Sequence, residues 1–295
     1  MIVRRTGERL PLTDRLRGLG RALNISGCIA VGVLAVVLFC SLLAPWLAPY
    51  DPVQVKMSER LAPMSATHLL GTDTLGRDVF SRLLYGGRIS IVLAAAVTAT
   101  TMLIGIVIGT AAGYFGGRVD EWLQSFISMF QGLPSLSLML AIAGTLGPGT
   151  KSLFIALIFT SWADFSRVVR GEAMKIREES YIEGIRAVGA GHPYIICKYV
   201  LPNMIGPLLV LFTIRLGRVI LSIASLSFLG LGLQPPAPDW GVMVSDARSY
   251  FRSHLHLIVA PGLCIAAVAL SMNLLGDALR DAFDSKLTQD KTWLS

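Results

Sequence analysis

Three charged side chains fall inside stretches that are otherwise apolar enough to cross a membrane: Asp164, Arg215 and Arg218. A charge at the centre of a membrane helix costs roughly 2.5–3.5 kcal/mol on insertion scales, so none of the three is expected to face lipid. Arg215 and Arg218 stand three apart and share a helix face. Counting about 1.5 Å per residue from the expected helix ends puts Asp164 and Arg215 within about one helical turn of the same depth. Two compatible chemistries follow. Asp164 and Arg215 can form a structural ion pair, or one or both arginines can line a path and favour anionic cargo. Nucleotide chemistry is not expected of this chain, because no GxxxxGK[ST] sequence occurs. A GxSxG elbow and an HExxH helix are absent too, and Asp164 has no obvious catalytic partner, so an intramembrane hydrolase has little support.

A second polar set lies at His68–Asp78, between the first two apolar runs. Asp73, Arg77 and Asp78 can pair locally, and Gly71 and Gly76 suit turns. With Trp240 they are candidate residues of an extracytoplasmic loop; the plainer alternative is a structural plug or interfacial helix. The third set is the stretch from Tyr181 to Asn203. Tyr181–Val188 spaces Ile182, Ile185 and Val188 as a short helix does. Gly189, Ala190 and Gly191 permit a tight reversal. His192 precedes Pro193, which fits the start of a second helix, and Leu201-Pro202-Asn203 is expected to end it. Such a knob either docks a soluble partner or is an amphipathic hairpin at the membrane surface.

These sets need a scaffold of membrane helices. The chain has 295 residues, of which 53% are hydrophobic and 15% charged, and its mean hydropathy is +0.63. That is too apolar for an ordinary soluble domain. The spacing predicts an all-α polytopic membrane protein with six transmembrane helices, at about 25–47, 89–112, 122–146, 152–169, 205–229 and 257–275. Gly105, Gly109, Gly113 and Gly117 recur every four residues, as a strip that lets another helix approach closely. Pro134 is expected to kink the third span. With both termini cytoplasmic, sixteen Lys and Arg fall inside and eight outside, the bias expected of cytoplasmic loops. The same bias accounts for the net charge of +7 without nucleic acid, since no basic run is interleaved with stacking aromatics. Cys28, Cys40, Cys197 and Cys264 show no paired spacing, and the four histidines are scattered, so no metal site is expected. The divisions are a basic cytoplasmic segment at 1–24, one membrane domain at 25–287 with an extracytoplasmic loop at 49–88 and a cytoplasmic loop at 170–203, and a cytoplasmic tail at 288–295.

The 181–203 stretch resembles the coupling loop of ABC-importer permeases. Glu183-Gly184-Ile185, Gly189 and Leu201-Pro202 fall in register, while Gly184, Ile185 and Tyr199 replace the usual Ala, Ala and Ile. Further segments are similar to the dipeptide, oligopeptide and nickel class: Pro49–Pro52, His68–Asp78, Leu226–Gly232, Gln234–Gly241 and Asn273–Asp284. The likeness covers about residues 25–287, and is to the subunit with an extended loop after its first span. It implies a permease subunit of an ATP-driven importer for peptides or chelated metal, in the bacterial cytoplasmic (inner) membrane. It implies a heterodimer with a second homologous permease, two ATPase subunits, an extracytoplasmic substrate-binding protein and surrounding lipid. The chain itself binds no cofactor; ATP and Mg belong to the partner ATPases. Glu183, Gly184, Ala187, Gly189, Ala190, His192, Leu201 and Pro202 are the residues expected to couple to those ATPases. Arg215 and Arg218 are not part of the class pattern. A membrane scaffold that holds a soluble partner through the same loop remains the competing function.

Overall fold

A computed structural model describes residues 25–291. The segment 1–24 and residues 292–295 of the expected tail lie outside the described residues, while 288–291 continue the last helix. All regular structure among the described residues is helical. Helix α1 is Ile25–Leu42 and α2 is Ala44–Leu47; after a long turn-rich segment, α3 runs Val79–Phe115. Helices α4 (Gly117–Gln131) and α5 (Ser135–Leu146) precede α6 (Thr150–Arg177). Short α7 (Ser180–Ala187) and α8 (His192–Ile195) lead through a π turn at Ile196–Val200 into α9 (Leu201–Phe228). Helix α10 (Trp240–Ala247) and α11 (His256–Lys291) complete the chain.

Among the described residues, five helical stretches are long and apolar enough to cross a membrane: Ile25–Leu42, Val79–Phe115, Thr150–Arg177, His192–Phe228 and His256–Phe283. A sixth span exists only if α4 and α5 are taken together, and these are bent by 79°. The expected kink at Pro134 is therefore a break. Proline has no N–H to continue the helix, and its ring disfavours helical geometry at Leu133 before it.

The most extensive contact joins α3 to α6. It rests on the glycine strip. A methyl group at Gly105 would lie 2.7 Å from Cβ of Phe165, at Gly109 2.5 Å from the Ser166 carbonyl, and at Gly113 2.5 Å from the Arg170 carbonyl. Only hydrogen fits there, so the two backbones approach to dispersion contact. Gly117 does not belong to the strip: it begins α4 and faces open space. A second core joins α1, α3, α9, α10 and α11 around Val79, Leu93, Val97, Ile220, Ile223 and Trp240.

Helix α3 starts ten residues before the expected Ile89, within the segment read as loop. Asp78 caps it, with Oδ2 accepting from the Ser81 N–H and from Ser81 Oγ, each at 2.7 Å. Asp73, Arg77 and Asp78 stay in the turn-rich segment ahead of it, with their side chains buried. Arg77 Nε donates to Asp73 at 2.6 Å and its Nη2 to Asp246 at 3.1 Å, tying the segment to α10. His68 Nδ1 lies 2.8 Å from Asp78 Oδ1. Trp240, 2% exposed, donates its indole N–H to the Leu83 carbonyl at 2.9 Å. Asp73, Arg77, Asp78 and Trp240 thus form an internal brace between the 49–78 segment, α3 and α10. None of these four side chains offers an exposed surface.

Candidate functional site

The first candidate site is the charged node. Asp164 sits mid-way along α6, one residue before Phe165, whose Cβ fills the glycine strip of α3. Its Oδ2 accepts from Arg215 Nη1 of α9 at 3.0 Å. Its Oδ1 accepts from Gln131 Nε2, the last residue of α4, at 2.8 Å. The Arg215 guanidinium also lies over the Phe165 ring, 5.8 Å from its centroid, where the ring face attracts a cation. One carboxylate therefore ties three elements together at the break between α4 and α5. Gln131 was missed in the sequence because a polar residue at the end of an amphipathic helix looks like surface. The proline three residues on was the usable signal.

Arg218 is not part of the node. It is exposed on α9, and among the described residues no carboxylate lies within ion-pair distance of it.

Breaking the node has a calculable result. Asp164→Ala leaves Arg215, with its side chain 15% exposed, beside Phe165 without a counter-charge. A lone charge left in a largely buried site costs about 3 kcal/mol or more, reduced here to about 2 kcal/mol because Asp164 is half-exposed. Thermal unfolding of the purified protein is expected to show a clear loss for Asp164→Ala and recovery in the Asp164→Ala, Arg215→Met double variant. A double variant as unstable as the single would show that the pair does not act as a unit.

The second candidate site is the surface hairpin of α7 and α8. Its inner face is apolar: Ile182, Ile195, Val200 and Met204 are fully buried with Tyr114 and Val169 in one cluster. His192 Nδ1 lies 3.0 Å from the Tyr114 hydroxyl at the end of α3. The outer face carries Glu183, Gly184, Ala187, Gly189 and His192, all exposed, with Ala190 half-buried. Val188, at the tip, is 84% exposed. The turn is made by Gly189 at φ +87°, a left-handed conformation that glycine adopts without strain. Beside it, Tyr114, Phe115, Arg177, Glu178, Glu183, Arg186 and His192 line a cleft of about 360 Å³. Asp120 holds Arg170 with both carboxylate oxygens at 2.5 Å, bracing α4 against α6 near the same end.

Helix α6 continues to Arg177, so the first residues of the 170–203 segment are helical. One sequence expectation fails here. Leu201-Pro202 does not end the second helix: the chain is helical without interruption from His192 to Phe228. The π turn at Ile196–Val200, closed by the Leu201 N–H on the Ile196 carbonyl, widens the helix just ahead of Pro202. The wider turn accommodates a ring that would otherwise crowd the preceding carbonyl. Leu201 and Pro202 line an apolar groove with Met102, Ile106 and Ile205.

Residues 105–289 match the family described as "Binding-protein-dependent transport system inner membrane component". A di/tripeptide transport system permease protein of Pseudomonas aeruginosa is 39% identical over 260 residues, covering 86% of each chain. A nickel transport system permease protein of Escherichia coli is 37% identical, covering 89% of this chain and 95% of its own. A glutathione transport system permease protein of Pectobacterium atrosepticum is 37% identical over 289 residues, covering 97% of this chain. Among solved structures, an inward-facing MetNI methionine ABC transporter matches at TM-score 0.50 and 18% identity, covering 65% of this chain and 94% of that one, a likeness of fold. This chain belongs to the binding-protein-dependent transport system inner membrane component family: it is a multi-pass permease subunit of a bacterial ABC importer, and the ATPase and substrate-binding activities reside in its partners.

Proposed function

We propose that the chain forms one half of a translocation path beside a second, different permease of the same family, and that it receives the ATPase stroke through the α7–α8 hairpin. Both termini and the hairpin lie on the cytoplasmic side, in keeping with the excess of Lys and Arg on that side. The cargo is a small peptide or a chelated metal, the classes for which the relatives are named. One observation carries the coupling: the helix that starts at His192 in the hairpin is the same unbroken helix that carries Arg215 and Arg218. A shift of the docked hairpin therefore moves the middle of a membrane span directly, with no flexible joint to absorb it. Rigid-body movement of that kind is how closing ATPases can switch the open side of a path. The exposed Val188 and the mixed-charge cleft beside it supply an apolar tip and polar rim for a soluble partner.

The test uses the complex with its ATPases and second permease. Val188→Cys, in a chain whose four native cysteines are serine, is treated with a membrane-impermeant maleimide. Labelling is expected in inside-out vesicles only, and is expected to fall when the ATPases are bound. Labelling from the opposite side, or labelling indifferent to the ATPases, would reject the docking role. ATP-dependent uptake in the same vesicles tests the permease assignment separately.

A further inference from the structure

Helix α9 presents a polar stripe where its neighbours do not cover it. Arg218 and Ser225 are exposed, and Ser222 lies half-buried between them. Spaced at i, i+4 and i+7, the three share one face. Arg218 lies ten residues from Phe228 and seventeen from Leu201, about 15 Å from the nearer helix end. That is too far for its side chain to snorkel to an interface. Asp164 is already committed to Arg215 and Gln131, so nothing neutralises Arg218 within the described residues. A permanent, unpaired guanidinium at mid-span is tolerable only against water, cargo or a partner subunit. A second observation points the same way. The node one turn away is built at the break between α4 and α5, where Gly132, Leu133 and Pro134 are exposed. Irregular backbone at membrane depth persists only where protein buries it or a water-filled cavity lines it, and broken helices mark binding sites near the midplane of many transporters.

We infer that Arg218, flanked by Ser222 and Ser225, is a contact for carboxylate groups of the cargo inside the translocation path. This inference rests on the importer function proposed above and narrows it to anionic cargo. A guanidinium fork matches a carboxylate in two hydrogen bonds and cannot be deprotonated, so the contact holds across the working pH range. Arg215, held on Asp164, positions the helix face and leaves the recognition to Arg218. The carboxylate can belong to a peptide C-terminus or to the organic acid that chelates a metal.

Two arms test the inference in the assembled complex. In the first, Ser222→Cys, in the serine background, reacts with an anionic sulfonate-bearing or a cationic trimethylammonium-bearing methanethiosulfonate. The anion-to-cation rate ratio is expected to fall about fivefold or more on Arg218→Gln, a change of roughly 1 kcal/mol in local anion preference, and to return with Arg218→Lys. An unreactive Ser222→Cys, or a ratio that ignores residue 218, overturns the inference. The second arm measures ATP-dependent uptake of radiolabelled dialanine and of nickel supplied with citrate. Whichever the unmodified chain carries is expected to fall about tenfold in Arg218→Gln, with partial recovery in Arg218→Lys; where both are carried, a fall in only one identifies the carboxylate source. Undiminished uptake of every carried cargo overturns the inference. Where the unmodified chain carries neither, the permease assignment is at issue and the labelling arm alone decides on Arg218.

Discussion

Gly189→Val is expected to cut ATP-dependent uptake by roughly fivefold to thirtyfold, because a side chain in the left-handed region costs about 1–2 kcal/mol and valine is among the least tolerant. Space is not the obstacle: a methyl group at Gly189 would meet nothing within 4 Å. The obstacle is the backbone angle of +87°. To relax it, the turn must open and lose the bonds from the Gly189 and Ala190 N–H groups to the Arg186 and Ile185 carbonyls, at 3.0 and 3.3 Å. Helix α8 would then leave α7 in another direction, and the docked surface would no longer match a rigid partner. Gly189→Asn is the informative companion, since asparagine tolerates positive φ far better than valine; it is expected to keep most of the uptake. Gly184→Ala is the neutral control: it sits in α7 with open space around it, and alanine is the better helix former by about 1 kcal/mol. Full uptake by Gly189→Val, with the ATPases still bound, would show that the proposed coupling turn does not transmit the stroke.

The parts of this molecule that sequence reasoning reached are those governed by local rules. Long apolar windows locate the five continuous spans, because every backbone polar group in lipid must be satisfied within its own helix. The Asp164–Arg215 pair is visible because charges in such windows need a partner at the same depth. The glycine strip is visible because its period matches one helix face. What escaped depends on tertiary context. Arg77 and Arg82 read as loop residues, yet both are 1% exposed, and the acid that completes the Arg77 pairing, Asp246, is 169 residues away. The continuation of helix through Pro202 required a π turn, which no residue in 196–200 announces. The break at 132–134 was underestimated as a kink because one proline is compatible with either. Neither the partner of Asp78 in His68 nor that of Asp239 in Ser90, at 2.7 Å, has a periodic signature. For Arg77, Asp78 and Asp239 a buried polar group found its partner beyond its own turn, and pairing of that kind is decided by the assembled fold.

Gly109→Leu is expected to leave almost no folded protein. The site faces the carbonyl of Ser166 at 2.5 Å and Cβ of Val169 at 2.7 Å, both measured to a methyl group placed on the glycine. Real Cβ atoms do not come so close, so α3 and α6 would have to separate along their whole contact. Overpacking in a yielding core costs about 1–3 kcal/mol. Here the obstruction is backbone and Cβ atoms rather than flexible side-chain ends, so the cost is expected to exceed about 4 kcal/mol, a large part of a typical total stability. Separation of α3 from α6 would also displace Phe165 from Gly105 and carry Asp164 away from Arg215 and Gln131, so the node is lost with the packing. The amount of monodisperse protein recovered from membranes measures this directly. Gly109→Ala is expected to lie between the two, with reduced yield and a lower unfolding temperature. Gly117→Leu, one step beyond the strip and with nothing within 4 Å, carries strain only from its φ of +50° and is expected to retain most of the folded yield. An equal loss at positions 109 and 117 would mean that close helix contact is not what the strip provides.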